Sequence, residues 1–192
     1  MIRLEIPIPE QKIRELKVGD LVLLTGIVVT ARDAGHKLMV EERPHFLDDL
    51  LREGVIYHCG PVVKKEGERW SFVAAGPTTS AREEPYQAKV IESYTVRGVI
   101  GKGGMGDATK EACRRFGAVY FHAVGGCGTS IAQSVKEVVG VHKLEEFGTP
   151  EAFWVTRVED FPVIVTIDTH GNSIHEQVRE ESRKVYEQLM KG

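Results

Sequence analysis

Residues 96–124 read V-R-G-V-I-G-K-G-G-M-G-D-A-T-K-E-A-C-R-R-F-G-A-V-Y-F-H-A-V, and this stretch decides the fold class. Residues 96–100 are a short apolar run that predicts a strand, and residues 118–124 are a second one. Between them, a glycine-rich turn leads into residues 107–116, whose mixed apolar and charged pattern predicts a helix. Strand, helix and strand in this order are typical of a parallel β-α-β unit. The sequence therefore predicts an α/β fold.

The flanking segments extend this unit into one domain with a mixed sheet and flanking helices. We predict further strands at residues 2–8, 21–30, 55–63, 70–75, 153–158 and 163–168. We predict further helices at residues 10–16, 33–39, 46–51, 79–93, 130–139 and 173–190, the last capped by Ser173. Consecutive strands in the first half, joined by a turn at 64–68, indicate a partly antiparallel addition. A single domain over residues 1–192 explains this pattern more simply than two domains.

Composition excludes several classes of protein. The chain has 192 residues, with 25 Lys and Arg against 28 Asp and Glu, so its formal net charge is only -3. This near balance leaves no electrostatic footprint for nonspecific binding of nucleic acid. No apolar stretch is long enough to span a bilayer, and the N-terminal residues lack the apolar core of a signal peptide. Three cysteines without a C-x-x-C pair favour a reducing compartment, so we predict a cytoplasmic protein.

Arg32 directly follows the predicted buried strand at 21–30. The C-terminal end of a strand is where open α/β sheets bind ligands, and a guanidinium group can hold a carboxylate through two parallel hydrogen bonds. Asp33 is a candidate cap for the helix that follows. A solvated Arg beside a capping Asp is the simpler interpretation of this segment by itself.

The segment A-G-P-T-T-S-A-R at 75–82 combines a stiff Gly-Pro turn with three hydroxyl side chains and an arginine. Backbone N–H groups at a helix start favour an anion, and Arg82 lies about one turn into the predicted helix. An ordinary cap with a solvated Arg is an equally good interpretation. Three hydroxyls and an arginine nevertheless exceed what a cap requires.

The turn G-K-G-G-M-G at 101–106 matches the letters G-x-G-x-x-G of a dinucleotide site. Such a site also needs an acidic residue about 20 positions further on, at the end of the next strand, and none stands there. A phosphate-binding P-loop is excluded because Gly103 follows Lys102 where Ser or Thr is required. What remains is a glycine turn that allows close approach of a ligand beside one lysine, or a tight turn with an exposed Lys.

A second glycine turn, G-G-C-G-T, occupies residues 125–129. Cys127 has no base implied by local spacing, so a packed cysteine is favoured over a nucleophile. The histidines show no metal-ligand spacing, and we predict no metal site on this chain. Arg32, Arg82 and Lys102, each beside a turn at the end of a strand, together suit a small dicarboxylate better than a long polyanion.

Six segments, in their order and spacing, resemble the β subunit or C-terminal domain of the iron–sulfur (class I) fumarate hydratases, a family that includes the L-tartrate dehydratase β subunit. No single segment is specific to that family, but the set is, and the resemblance covers nearly the whole chain. The segments are G-D-L-V-L-L-T-G at 19–26, R-D-A-G-H-K at 32–37, G-P-V at 60–62, A-G-P-T-T-S-A-R at 75–82, G-K-G-G-M at 101–105 and D-T-H-G-N-S at 168–173.

The resemblance implies a swivelling β/β/α domain that forms part of a hydro-lyase, most commonly one that interconverts fumarate and malate. In this family a [4Fe-4S] cluster acts as a Lewis acid, and its three cysteine ligands lie in the α subunit or N-terminal domain. Cys59, Cys113 and Cys127 do not match those ligands, so we expect no cluster on this chain alone. The resemblance further implies an active site shared with an α subunit, no activity of the isolated chain, and a higher oligomer of the heterodimer.

Carried over by motif, Arg32, Arg82 and Lys102 bind the substrate carboxylates, and Thr78 is the base that takes the proton from carbon. Alternatively, Thr78 only positions the substrate or relays a proton. The acid that protonates the leaving group is expected on the partner chain. The resemblance leaves fumarate and tartrate open as substrates, and a nonenzymatic dicarboxylate-binding or regulatory module is a further alternative.

Overall fold

The computed structural model describes residues 1–190, and within that range the chain forms nine strands and eight α-helices. The strands are β1 (Ile2–Ile6), β2 (Leu21–Thr30), β3 (Val55–Tyr57), β4 (Val62–Glu66), β5 (Arg69–Ala74), β6 (Gly98–Gly101), β7 (Val119–His122), β8 (Val135–His142) and β9 (Phe153–Ile167). The helices are α1 (Glu10–Glu15), α2 (Asp33–Glu41), α3 (Asp48–Leu51), α4 (Glu84–Tyr94), α5 (Asp107–Phe116), α6 (Gly128–Ala132), α7 (Leu144–Phe147) and α8 (Ile174–Leu189), with 3-10 turns at His45–Leu47 and Ser80–Glu83. The last two residues of the predicted domain, 191–192, lie outside the described residues.

The long strand β9 closes the main sheet on itself. In the described chain, seven strands follow the order β1-β2-β3-β6-β7-β9-β8, and β9 also pairs with β2. The pairs from β1 through β7 are parallel, whereas β9 runs antiparallel to β2, β7 and β8. Because β9 is bonded to β2 along one edge and to β7 along the other, β2, β3, β6, β7 and β9 form a closed ring. The predicted mixed α/β fold with flanking helices is therefore confirmed.

Alternate residues of the ring strands point into two different cores. Tyr57 and Phe121 belong to an inner core, whereas Ile56 and Tyr120 belong to an outer one. This is the two-residue alternation of a strand with both faces buried. The outer core includes side chains of α2, α4 and α5, such as Met39, and these helices cover one side of the ring. Both faces of β3, β6 and β7 are thus buried.

Two predictions of secondary structure are wrong around the last strands. Residues 130–139 were expected to be helical, but α6 stops at Ala132 and β8 follows, paired with β9. Four valines make this segment a good strand once β9 offers a partner, because strand propensity depends on tertiary context. The two strands predicted at 153–158 and 163–168 are one strand, β9. Its Pro162 lies where only β2 pairs, between the β8 and β7 ladders, so the missing N–H breaks no bond on that side.

The expected pairing of strands 55–63 and 70–75 is correct only in part. The partner of β5 is β4, and the two form a separate antiparallel hairpin. β3 instead lies in the main sheet, parallel to β2 and β6. The hairpin is the antiparallel addition that the first half of the sequence predicts.

The C-terminal helix α8 begins as predicted, since the Ser173 hydroxyl accepts a hydrogen bond from the backbone N–H of Glu176. None of the side chains described in α8 is buried, and Val178 and Val185 are each 55% exposed. The helix therefore contributes little to either core. No helix in the described part of the chain is long and apolar enough to cross a membrane.

We expect Gly26→Ala to destabilise the protein by about 2 kcal/mol or more. Gly26 has φ +130, and an added Cβ would lie 2.5 Å from the carbonyl oxygen of Ile6 on the neighbouring strand. Gly140→Ala on β8 is the matched control, because an added Cβ there meets no atom within 4 Å. Urea unfolding would measure both variants, and equal midpoints for the two would contradict the expectation.

Candidate active site at the strand ends

The candidate residues gather where the parallel strands end. Arg32 follows β2, Lys102 follows β6, and the glycine turn at 125–128 follows β7. The segment at 77–79 is laid across the ends of β3 and β6 through bridges that join Pro77 to Cys59 and Thr79 to Lys102. Since the C-terminal ends of parallel strands share one edge, these residues form one rim.

Main-chain hydrogen bonds fix Thr78 between β3 and β6. Its N–H donates to the carbonyl of His58 at 2.7 Å, and its carbonyl accepts from the N–H of Lys102 at 3.3 Å. Ser80 N–H in turn donates to the carbonyl of Lys102 at 3.0 Å. The segment thus behaves as a short extra strand, and it sets Thr78 and Lys102 side by side. Both residues are half-buried.

Arg32 and Arg82 are brought together by one carboxylate. Arg82 Nε donates to Asp33 Oδ1 at 3.1 Å, and Arg82 Nη2 lies 2.7 Å from Oδ2. The same Oδ2 lies 4.0 Å from Arg32 Nη2. Asp33 therefore lies between two guanidinium groups, and both arginines keep N–H groups that it does not use.

The prediction that Asp33 caps α2 is wrong. Asp33 is the first residue of the helix and makes no side-chain capping bond. The capping position is taken by Glu151, whose Oε2 accepts the N–H of Ala34 at 3.0 Å. Glu151 Oε1 also lies 3.3 Å from Arg32 Nε, so one carboxylate serves the helix terminus and the arginine. Asp33 is left free to face Arg82.

Glycines make room for the cationic side chains of the rim. An added Cβ on Gly60 would lie 2.6 Å from Arg32 Nη1, so the guanidinium group runs directly across that backbone. An added Cβ on Gly125 would lie 3.6 Å from Lys102 Cδ, which places the lysine stem along the second glycine turn. The two glycine turns singled out in the sequence are therefore neighbours.

The dinucleotide interpretation of the turn at 101–106 fails on geometry as well as on sequence. The N-terminus of α5, where a pyrophosphate would bind, is occupied by the Glu84 carboxylate. Glu84 accepts the backbone N–H groups of Gly106 at 2.7 Å and of Thr109 at 3.2 Å. It also accepts the Thr109 hydroxyl at 2.7 Å. A second anion at that helix end would meet a carboxylate.

The cysteines do not form a set that fits an iron–sulfur cluster. Cys59 lies in the inner core and Cys113 in the outer one, and burial raises the pKa of each thiol to about 12. Cys127 is exposed in its turn, so the prediction that it is packed is wrong. Within residues 1–190 no group of three or more His, Cys, Asp or Glu residues is arranged to hold a metal ion.

A chain of buried polar side chains lies behind the rim, and sequence reasoning missed it. The side-chain amide of Gln87 lies between two imidazoles, with its Oε1 at 3.0 Å from His36 Nε2 and 2.8 Å from His58 Nε2. His58 Nδ1 is 2.8 Å from Ser80 Oγ, which accepts a hydrogen bond from the Tyr120 hydroxyl at 2.8 Å. All five residues are fully buried. A buried polar network of this size is costly unless its members are hydrogen-bonded to one another, and a satisfied network makes the surrounding structure rigid.

Glu83 is buried beside this chain with its carboxyl 3.6 Å from His36 Nδ1. Neither carboxyl oxygen has a hydrogen-bond partner among the described residues. Burial first, and then the negative charges of Asp33 and Glu151, raise the pKa of Glu83 to about 7. Burial lowers the pKa of His36 and, more strongly, that of His58. The only hint of Glu83 in the sequence is its place directly after Arg82.

The sequence of the chain was compared with known protein families. The profile described as "Fumarase C-terminus" matches residues 1–178. The chain belongs to this family.

Relatives of the fumarase C-terminus family differ in how much of their length this chain covers. The chain is 49% identical over 183 residues to "Putative fumarate hydratase class I" of Geobacillus stearothermophilus, and the match covers 95% of this chain but 35% of that relative. It is 43% identical over 173 residues to "L(+)-tartrate dehydratase subunit beta" of Escherichia coli (strain K12), covering 89% and 85% of the two chains. It is 42% identical over 183 residues to "Putative L(+)-tartrate dehydratase subunit beta" of Methanocaldococcus jannaschii, covering 94% and 92%. The chain thus spans about a third of the first relative and most of the other two.

We expect Glu83→Gln to remove a pH dependence of stability. The pKa of Glu83 rises from 4.5 to about 7 on folding, so the native state binds a proton that the unfolded state has lost between these values. The stability of the wild type relative to Glu83→Gln should therefore fall, by on the order of 2 kcal/mol, as pH rises from 4.5 to 7, and then level off. The lowered pKa values of His36 and His58 act in the opposite direction in both proteins. Denaturant titrations of both proteins across this range would measure that difference. Parallel curves for the two proteins would refute this assignment.

Proposed function

We propose that this chain is the β subunit of an iron–sulfur-dependent hydro-lyase that reversibly hydrates fumarate to L-malate. The observation that carries the proposal is the rim itself: a half-buried threonine is locked by backbone bonds beside Lys102, and two arginines share one carboxylate next to it. The family and the names of its members support the same class of reaction. Two arginines and a lysine match the two negative charges of a C4 dicarboxylate.

Arg82 is the more accessible of the two arginines, with about half of its side chain exposed. Its Nε and Nη2 face Asp33, so Nη1 is the group left for a substrate carboxylate. Arg32 is held by Glu151 and lies across Gly60. Pairing with the chain's own carboxylates orients both guanidinium groups before substrate binds, which lowers the entropic cost of binding.

In the proposed dehydration of malate, Thr78 takes the proton from the carbon next to the hydroxyl-bearing one. The C–H electron pair becomes the new double bond, and hydroxide leaves with a proton from an acid on the partner chain. A free alcohol is a poor base, so Thr78 must act as its alkoxide. Lys102 and Arg82 supply positive charge that favours the ionised form.

The cluster and the acid are assigned to a separate α subunit, since the thiols of this chain do not fit a cluster site. A bound [4Fe-4S] cluster would supply a Lewis acid for the leaving hydroxyl. We further propose that the isolated chain is inactive, that the heterodimer forms a higher oligomer, and that the enzyme is cytoplasmic, as its free cysteines favour.

Dehydration of L-tartrate is the second candidate function. It is favoured by the extent of the matches: the chain covers 85% and 92% of two relatives named as tartrate dehydratase β subunits, but 35% of the fumarate hydratase relative. The same cations serve both substrates, because both are C4 dicarboxylates. A contact with the second hydroxyl of tartrate would separate them.

The test is to isolate the chain from its native host without oxygen and to assay fumarate hydration and L-tartrate dehydration, with partner mass and iron content recorded. Activity together with an iron-bearing partner supports the proposal, and the ratio of the two rates selects the substrate. A lone, iron-free, inactive chain that binds dicarboxylates tightly would favour the nonenzymatic module instead.

Thr78→Ala should lower kcat of the assembled enzyme by about 100- to 10,000-fold, the usual contribution of a general base. Assembly should persist, because the main-chain bonds of Thr78 do not depend on its side chain. Thr78→Ser keeps the hydroxyl and is the matched control, expected to retain far more turnover than Thr78→Ala. Near-normal kcat in Thr78→Ala would remove the base assignment.

Arg82→Lys should raise KM by about 10-fold or more, since a charge-assisted hydrogen bond contributes about 1.5–3 kcal/mol and lysine cannot reproduce the planar fork. Initial rates over a range of fumarate or tartrate concentrations would measure this. Lys37→Arg, an exposed change on the same helix as Asp33, is a control that should leave KM unaltered. An unchanged KM in Arg82→Lys would count against carboxylate binding by Arg82.

A further inference from the structure

The buried polar network contacts the backbone of three of the four proposed active-site residues, and Glu83 directly follows the fourth, Arg82. His36 Nδ1 lies 3.0 Å from the carbonyl oxygen of Arg32. The His58 carbonyl accepts the N–H of Thr78. Ser80 donates its N–H to the carbonyl of Lys102. The buried polar network therefore connects the backbone at Arg32, Thr78 and Lys102 without reaching solvent.

We propose that His36, Gln87 and His58 are positioning residues, which hold Arg32 and Thr78 in register, and that one proton shared between His36 and Glu83 keeps this buried unit neutral. The kinetic test of this inference rests on the proposed hydro-lyase function. The sharing of the proton rests only on the geometry of the described residues.

The hydrogen bonds of His36 connect its protonation to the orientation of the Gln87 amide. The carbonyl of Arg32 can only accept, so His36 Nδ1 must carry a hydrogen. When the Gln87 oxygen faces His36 Nε2, that nitrogen must donate as well, and His36 is an imidazolium paired with a Glu83 carboxylate. When the amide is rotated, its NH₂ group donates to both Nε2 atoms, His36 is neutral, and Glu83 holds the proton. Both arrangements contain the same number of protons and no net charge.

Loss of that proton leaves an unbalanced carboxylate behind the rim. The charged and titratable groups near Glu83 are Arg32 directly before α2, Asp33 and His36 of α2, Arg82 of its own turn, and Glu151. His58 packs edge-on against His36 on the other side. Three carboxylates then face two arginines. The arginines hold a substrate dianion less strongly in that state, so KM should rise with pH through about 7, where the pKa of Glu83 lies.

Nitrogen NMR of the histidine side chains in the full chain tests the proton-sharing without any enzymatic assay. We expect the His36 ring signals to move between pH 6 and pH 8 in the wild type. In Glu83→Gln they should stay fixed over this range, with the hydrogen on Nδ1. A wild-type His36 that shows no change between pH 6 and pH 8, or the same change in Glu83→Gln, would overturn the inference.

Kinetics of the assembled enzyme test the positioning role. Gln87→Met keeps the side-chain length but removes both bonds to imidazole, and kcat/KM should fall by about 10- to 100-fold, the effect of a small misplacement of reacting groups. Glu83→Gln should keep kcat and abolish the rise of KM above pH 7. Thr156→Val is the matched control, since it removes a buried hydroxyl that donates to the Val28 carbonyl at 3.0 Å and makes no hydrogen bond to the buried polar network.

Each result has one meaning. A Gln87→Met enzyme with the kinetics of the Thr156→Val control would overturn the positioning role. If Gln87→Met does not fold, Glu83→Gln still decides, because it preserves shape, and an unchanged pH profile of KM in that variant would overturn the proposal. If no assembled enzyme turns over fumarate or tartrate, the proposed function fails, while the NMR titration still accepts or rejects the shared proton.

Discussion

The pairing of β9 with β2 is the constraint on which the rest of the molecule depends. By bonding to β2 along one edge and to β7 along the other, β9 turns a twisted open sheet into a closed ring. Closure separates an inner core from an outer one and removes the free edges of the ring strands. It also gathers the C-terminal ends of β2, β3, β6 and β7 at one rim. A site built from four distant segments of sequence is thereby held by the strongest part of the fold.

At that rim, acidic side chains of the protein orient helix ends and arginine side chains. Glu151 and Glu84 cap two helices from elsewhere in the chain, and Asp33 joins two arginines. Cationic side chains held in this way lose little freedom when a dicarboxylate arrives. The cost is electrostatic, because every additional negative charge behind the rim competes with the ligand. Glu83 is fully buried and close to His36, and its ionisation adds one more negative charge behind the rim.

Sequence reasoning found the parallel unit at 96–124 because both strands and the helix carry their own periodicity. It failed at 135–142, where a valine-rich segment becomes a strand only because β9 lies beside it. Arg32, Arg82 and Lys102 could be singled out because arginine and lysine beside strand-end turns are conspicuous in a sequence, and the structure brings the three to one rim. Gln87, His58 and Glu83 could not be singled out, since their roles arise from contacts between α2, α4 and β3 that no local pattern records. That Glu151, and not Asp33, caps α2 could not be predicted for the same reason.

The exposure of helix α8 affects how readily its backbone hydrogen bonds open. The first turn of this helix is fastened by the Ser173 cap, by the pair of Glu176 with Lys110 and by the contact of His175 with Thr166. Beyond that turn the helix has no buried side chain among those described and is held by surface ion pairs such as Arg183 with Glu180. Such pairs contribute only tenths of a kcal/mol each. Its backbone amides can therefore open by local fraying and exchange with deuterium far sooner than those of β9, which open only when the ring itself comes apart. The amides of the closed ring thus exchange slowly and those of α8 rapidly, although both belong to one continuous chain.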